Sequence, residues 1–431
     1  MHSTILDYLD EIIAETSHVD SGSLPEGIPE LAAADPDRAA VALCTVNGTV
    51  YASGDAEDRF SIQSMSKPFA YALAIEDRGF DAVLERIGVE PSGEAFDELS
   101  LEPGSGRPAN PMINAGAIAA HALVRSDEAP AVDRLLALFS RLAQRPIEVD
   151  ESLAASEIAD GERDRDIARL LRAADLLPRD PSTVAEGYVR QCSAVVTVRD
   201  LALMASTLAN GGVQPDTGER LFSRRTTKHV LSVMASCGMY DAAGDWLTSV
   251  GIPAKSGVSG GIIGVLPGQI GVAVRSPRLD PHGHSVRGIA MMEHLSDDLG
   301  LHLMEVGRPA RSSLRETRRV SVEGRPATVY TLQGDLGLSG VESLVHEIVD
   351  RPPRTDTVVL DMSRVTGALP IARRTTAETA AKLVDEGREV VLVDAEETVP
   401  EVRAERGRAV ERWTSERLEQ SLLRDPGEST G

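Results

Sequence analysis

Two strand-rich stretches, 39–53 and 250–276, flank a long helical middle, and after residue 317 short strands alternate with helices. These observations predict a mixed α/β (α+β) chain. The flanking stretches would form one antiparallel sheet, with helices over it and a helical subdomain inserted between its halves. A small α/β domain would follow.

Residues 4–16 read as a helix, because Ile5, Tyr8, Leu9, Ile12 and Ile13 recur at helical spacing. SGSLPEGIPE is a polar connection. AAVALCTVNGTVYAS, residues 39–53, reads as a hairpin with Asn47-Gly48 as a type I′ turn. FSIQSMSKPFAYALA, residues 60–74, opens a helix with Pro68 in its first turn. From about 68 to 245 the pattern is mostly helical, broken by loops such as EPSGEAFDELSLEPGSGRPANP. VGIPAKSGVSGGIIGVLPGQIGVAVRS returns to strand, turning at Pro267-Gly268, and a helix is expected at about 287–302. Residues 1–306 thus make the first domain and 307–317 a linker. Residues 318–400 are the α/β domain, with helices in SGVESLVHEIVDR and ARRTTAETAAKLVDEG and strands in DTVVLDMS and REVVLVD. Residues 401–431 are charged, without a clear apolar face, and read as a helix fraying into a tail.

The 431 residues carry a net charge of −23. That disfavours nucleic acid and anionic membrane surfaces as partners, and fits a very soluble cytoplasmic protein. Cys44, Cys192 and Cys237 are odd in number and far apart, so a reducing compartment is expected rather than a disulfide framework. MHSTILDYLDEIIAE is acidic and lacks the basic start of a signal peptide. No apolar run is long enough to span a bilayer.

Only four of the 44 basic residues are lysine: Lys67, Lys228, Lys255 and Lys382. Ser64 and Lys67 are three residues apart at a helix start, so they share a face. A serine hydroxyl attacks only when a base takes its proton. Lysine can be tuned to neutrality by burial or a neighbouring cation, and arginine cannot. Backbone N–H groups at the helix start face developing negative charge. A second lysine, Lys255, lies in the glycine-rich PAKSGVSGGI, where it would set a positive charge beside Lys67 and lower its pKa. The N–H near Val258 would complete an oxyanion hole with that of Ser64. S-x-x-K followed by K-[ST]-G is the pattern of penicillin-recognising acyl enzymes.

NPMINAGAI, EGYVRQCS, LANGG, TGERL, SCGMYD and PAKSGVSGGI together make residues 20–305 resemble the serine-dependent glutaminase family. The resemblance implies a β-lactamase/DD-peptidase-like fold and hydrolysis of L-glutamine to L-glutamate and ammonia through an acyl-enzyme, without cofactor or metal. It implies Ser64 as nucleophile and Lys67 as its base. It implies Tyr240 as the residue returning a proton to ammonia, and Val258 as the oxyanion N–H. Asn114, Glu157 and Tyr188 become substrate ligands, with Glu157 facing the α-ammonium, and Lys255 the supporting motif lysine. His282 and His284 fall in a loop with no metal role. Family members are typically dimers or tetramers. Two positions depart from the pattern: Gly27 stands where a substrate-binding tyrosine is expected, and Asp164 replaces a substrate-binding asparagine. Both are expected to weaken substrate binding and leave the acylation machinery intact.

Residues 318–400 resemble a STAS domain, with Pro370 at the position where regulatory members carry a phosphorylatable serine; Ser363, Thr366, Thr375 and Thr376 lie nearby. That favours an interaction or oligomerisation module, with a protein partner, over a phosphoswitch. Two other functions fit the residues: another acyl-serine hydrolase on the same fold, or a catalytically weak protein that senses amides and relays this through the C-terminal domain.

Overall fold

The computed structural model describes residues 4–92, 101–102, 104–125, 127, 129–305, 314–394, 397–402, 404 and 410–423. Backbone contacts divide the chain into two compact units. One comprises Leu9–His294 with Leu301–Leu303, and the other Met1–Tyr8, Leu295–Gly300 and Met304–Gly431. Residues 4–8 therefore group with the C-terminal unit, where a domain of 1–306 was expected.

The amphipathic α1 (Thr4–Glu15) and the short α2 (Pro29–Ala32) precede the hairpin β1 (Ala40–Thr45) and β2 (Val50–Gly54). The hairpin turn is not type I′. Gly48 has φ +91°, but Asn47 is outside the left-handed region. The Gly48 N–H closes onto Thr45 O at 2.9 Å and Thr45 N–H onto Thr49 O at 3.1 Å. The strand register leaves three loop residues, which make a type I turn followed by a left-handed glycine.

β3 (Phe60–Ser61) leads through a 3-10 turn at Gln63–Ser66 into α3 (Lys67–Arg78). The helical middle then runs through α4 (Phe80–Leu84), α5 (Asn114–Leu123), α6 (Ala131–Ala143), α7 (Glu151–Asp160), α8 (Glu162–Ala173) and α9 (Pro181–Cys192). Residues 93–100 and 103 of the expected loop lie outside the described residues. A two-residue strand absent from the sequence reading, β4 (Val195–Val196), returns to pair with β3. After α10 (Val198–Ala209), α11 (Arg224–Cys237) and α12 (Ala243–Ser249) come β5 (Ala254–Gly257), β6 (Gly261–Leu266) and β7 (Ile270–Arg275), then α13 (Val286–Leu299).

The five strands run β2-β1-β7-β6-β5, all antiparallel, as the two flanking stretches required. Every residue of β1, β6 and β7 is buried, so these strands are covered on both faces and read as continuous apolar runs. α10 lies against β7, β1 and β6. Its close approach needs Gly271, where a Cβ would stand 2.2 Å from Ser206 N and 2.6 Å from Ala202 O.

The second sheet begins with β8 (Leu314–Val322) and β9 (Arg325–Leu336). Of the expected linker 307–317, residues 314–317 lie in β8, which pairs with β9, and 307–313 lie outside the described residues. Here the two loop residues Glu323 and Gly324 both have positive φ, +49° and +76°, the geometry expected earlier at Asn47-Gly48. α14 (Leu338–Asp350), β10 (Thr357–Ala368), α15 (Pro370–Asp385), β11 (Glu389–Val393), β12 (Glu411–Trp413) and α16 (Ser415–Leu423) follow. The order is β12-β11-β10-β9-β8, antiparallel between β8 and β9 and parallel in the remaining pairs.

Val341, Leu344 and Leu383 of the helices pack with Tyr330 and Leu360 of the sheet, while Val329, Val359 and Val391 pack with Trp413 and Leu418. The stretch after 401 is thus not only a fraying helix. Two apolar side chains, Trp413 and Leu418, suffice to dock a strand and a helix, and both are buried. Residues 424–431 of the expected tail lie outside the described residues. Thr375 and Thr376 are fully buried within α15 and do not cap it.

Candidate active site

The chain reaches Ser64 through a strained backbone. Gln63 has φ +49°, a left-handed conformation that a residue with a side chain adopts at a cost of about 1–3 kcal/mol. The turn is held from below. Ser66 Oγ donates to Gln63 O at 2.8 Å, and Gln191 Nε2 donates to Ser66 Oγ at 2.9 Å. His121 Nδ1–H donates to Gln191 Oε1 at 2.9 Å, and burial lowers the His121 pKa to about 4, so the ring is neutral. Gly187 of EGYVRQCS makes room for it, since a Cβ there would stand 2.5 Å from His121 Nε2. The sequence reading missed Gln63, Ser66, His121 and Gln191. Only the glycine in that motif hinted that something large must fit beside it.

Lys67 opens α3 and is wholly buried. Its Nζ donates to Met112 O at 3.1 Å and to Asn114 Oδ1 at 2.7 Å. Burial lowers its pKa from 10.5 to about 8, against upward pulls from Cys192 and Asp164. Both acceptors come from the NPMINAG turn, not from Ser64. That turn is built by Asn110, whose Oδ1 accepts from Met112 N at 3.0 Å and Ile113 N at 3.3 Å. The Ser64 hydroxyl is instead partnered by Tyr240. Tyr240 itself sits at φ +53°, and burial raises its phenol pKa strongly.

Asn114 is the hub of the site. Its Oδ1 also accepts from the Tyr188 hydroxyl at 3.4 Å, and its Nδ2 donates to Asp164 Oδ1 at 3.5 Å. Burial raises the pKa of both Tyr188 and Asp164. Asp164 therefore does touch the machinery, contrary to the sequence expectation: its carboxylate is bonded to the amide that holds Lys67, and its charge favours the protonated amine. Glu157 receives Gln63 Nε2 at 3.2 Å and Ser193 Oγ at 3.3 Å, and burial raises its pKa to about 7.

Lys255, in β5, is also wholly buried. Its Nζ donates to Ser256 O at 2.9 Å and lies 3.8 Å from the Tyr240 ring centroid; Lys67 Nζ lies 5.6 Å from the same centroid. Burial is what lowers Lys67, and Lys255 is pushed well below its usual value by burial first and then by the neighbouring Lys67.

Ser64, Asn114, Glu157, Asp164, Tyr188 and Val258 line one cavity of about 390 Å³. Gly27 lines it too, and no atom lies within 4 Å of where its Cβ would stand. His282 pairs with Asp241 at 2.9 Å, and His284 is buried. Among the described residues, no three His, Cys, Asp or Glu side chains converge as metal ligands. No described helix is long and apolar enough to cross a membrane.

A model of the glutaminase family matches residues 22–304. The glutaminase of Corynebacterium glutamicum is 46% identical over 400 residues, 92% of this chain and 96% of the relative. The glutaminase of Trichormus variabilis is 46% identical over 304 residues, 70% of this chain and 91% of the relative. The solved structure of Mglu is 44% identical, with a TM-score of 0.70, and covers 93% of this chain and 100% of its own; Mglu has also been solved in a glutamate form.

Proposed function

This chain belongs to the glutaminase family and is a glutaminase, and from that premise we propose that Ser64 is the nucleophile of its reaction and Lys67 the base. The observation that carries this reading is the full burial of Lys67, three residues from Ser64 at the start of α3, which brings the amine pKa to about 8, so a useful fraction is neutral near physiological pH. Ser64 Oγ attacks the side-chain amide carbon of L-glutamine as Lys67 takes its proton. The tetrahedral oxyanion rests against the N–H groups of Ser64 and Val258. Tyr240, bonded to Ser64, passes a proton to the departing ammonia, and water then cleaves the glutamyl ester. Glu157 receives the α-ammonium, and Asn114 and Tyr188 orient the rest of the amino acid. That Mglu has been solved in a glutamate form supports glutamate as the product.

Acid quenching during turnover is expected to leave a glutamyl ester on the peptide containing Ser64, detectable by mass. Glutamine should be turned over well ahead of asparagine or a β-lactam. An unmodified Ser64 peptide under steady-state turnover, with the ester elsewhere, would reassign the nucleophile.

The two departures should act differently. Gly27 removes a ligand and is expected to raise KM with kcat retained. Asp164 favours protonated Lys67, so Asp164→Asn should move the rising limb of kcat/KM against pH, set by Lys67 at about 8, to lower pH. Activity at pH 7 would rise several-fold. A limb that stays in place would show that the Asp164 charge does not reach the amine.

The C-terminal unit is proposed to be a STAS-like interaction or oligomerisation module in a cytoplasmic protein. The 400-residue match to the Corynebacterium glutamicum relative must run into this unit. Pro370 opens α15 where a phosphorylatable serine is expected, and Thr375 and Thr376 are buried. Three buried free thiols suit a reducing compartment. A chain ending at 305 is expected to have a lower assembly state by light scattering and to retain activity; an unchanged number of chains per particle would remove this role.

A further inference from the structure

We propose that His284 is a positioning residue for this reaction: its ring ties the Met239 carbonyl to the Ser256 hydroxyl and holds Tyr240 and Lys255 in place beside Ser64. The proposal rests on the reading of Ser64 and Tyr240 given above. His284 lies in the loop between β7 and α13 and is fully buried. Asp280 fixes that loop, its Oδ1 accepting from the N–H groups of His282 and His284, both at 2.9 Å.

Both ring nitrogens of His284 have partners. Nε2 lies 3.1 Å from Met239 O and Nδ1 lies 2.8 Å from Ser256 Oγ. A carbonyl oxygen can only accept, so Nε2 carries the proton. In a neutral imidazole Nδ1 then has only a lone pair, and the Ser256 hydroxyl must donate to it. With its proton directed to His284, Ser256 Oγ turns its lone pairs toward Lys255 Nζ, 3.4 Å away, which also donates to Ser256 O at 2.9 Å. One imidazole tautomer thereby orients a hydroxyl and, through it, a buried lysine.

The same ring acts on Tyr240. It stacks on the phenol with centroids 5.8 Å apart and an interplanar angle of 12°, while Lys255 Nζ stands 3.8 Å from the phenol centroid. Tyr240 is held at φ +53°. Such a conformation persists only where its surroundings over-determine it. The bond from His284 to Met239 O fixes the peptide entering Tyr240, and the stacked ring fixes its side chain.

The groups facing the ring are Lys255, Asp280, His282 and Tyr240, with the Met239 carbonyl and Ser256 hydroxyl as its bonded partners. Burial first, then the Lys255 charge, lowers the His284 pKa to about 4. The neutral tautomer is therefore kept throughout the working range of a Lys67 base.

The test uses full-length His284→Phe, Ser256→Ala and the double variant, assayed for ammonia release from L-glutamine. His284→Phe keeps a stacked ring and removes both polar links. It is expected to lose about tenfold or more in kcat with KM within about twofold, since misplacing a reacting group by about 1 Å can cost up to about 10²-fold. The double variant should lose no more than the worse single one, because both cut the same chain. An unchanged kcat in folded His284→Phe, a loss confined to KM, or losses that multiply would overturn the proposal. If His284→Phe fails to fold by circular dichroism, His284→Gln takes its place in the same cycle under the same criteria. Ser64→Ala is assayed alongside. If it retains activity the nucleophile assignment falls; if it is inactive while His284→Phe matches wild type, only the present proposal falls.

Discussion

Ammonia release from glutamine is expected to fall by about 10⁴-fold or more in Ser64→Ala, as losses of a nucleophile do in acyl-transfer enzymes. The substitution removes one oxygen atom and the covalent route with it. The ligands proposed for glutamine are held without that oxygen: Glu157 by Gln63 and Ser193, and Asn114 by Tyr188. Glutamine should therefore still bind the variant, with a dissociation constant by calorimetry within a few-fold of the wild-type KM. The Tyr240 hydroxyl loses its partner, so a modest change in melting temperature is acceptable. Retained turnover would end the acyl-serine account. Loss of binding together with turnover would show that Ser64 also shapes the cavity.

Lys67→Arg is expected to cost about 10³-fold in kcat, within the range general-base and nucleophile activation supply together. Arginine keeps the charge but cannot give it up. It must also place a larger cation in a fully buried position whose acceptors, Met112 O and Asn114 Oδ1, are set for a single amine. Lys67→Met separates chemistry from stability. The folded pKa of about 8 lies below the ordinary 10.5, so between those values the folded chain holds fewer protons than the unfolded one. Stability of the wild type then rises with pH across that window. Below pH 8 the buried charge costs about 3 kcal/mol. The methionine variant, which has no such charge, should be inactive yet gain melting temperature relative to wild type at pH 7, offset in part by the two acceptors left unpaired. That advantage should shrink as pH rises from 8 to 10.5. A constant difference across the window would mean that Lys67 does not titrate there.

These effects also separate what was legible in the residues from what was not. The Ser64–Lys67 spacing, the PAKSGVSGGI strand and the NPMINAG turn were readable because each is a local pattern with a local physical reason. So were the antiparallel sheet and the α/β character of the second unit, which follow from apolar periodicity. The partners of Lys67 were not readable. Met112 and Asn114 lie more than forty residues away and meet it only because α3 and α5 pack together. The type I′ turn went to Glu323-Gly324 rather than Asn47-Gly48 because strand register, not the dipeptide, fixes loop length.

Residue order alone decided that a deprotonatable amine would stand one helical turn from a hydroxyl, in a chain otherwise supplied with arginine. Tertiary structure decided that this amine is buried, that Asn114 joins it to Asp164, and that burial rather than Lys255 is what lowers its pKa. The reason is that spacing along a helix is set by bonds between near neighbours. Desolvation, which governs every shifted group in this site, is set by whatever distant segments close over it.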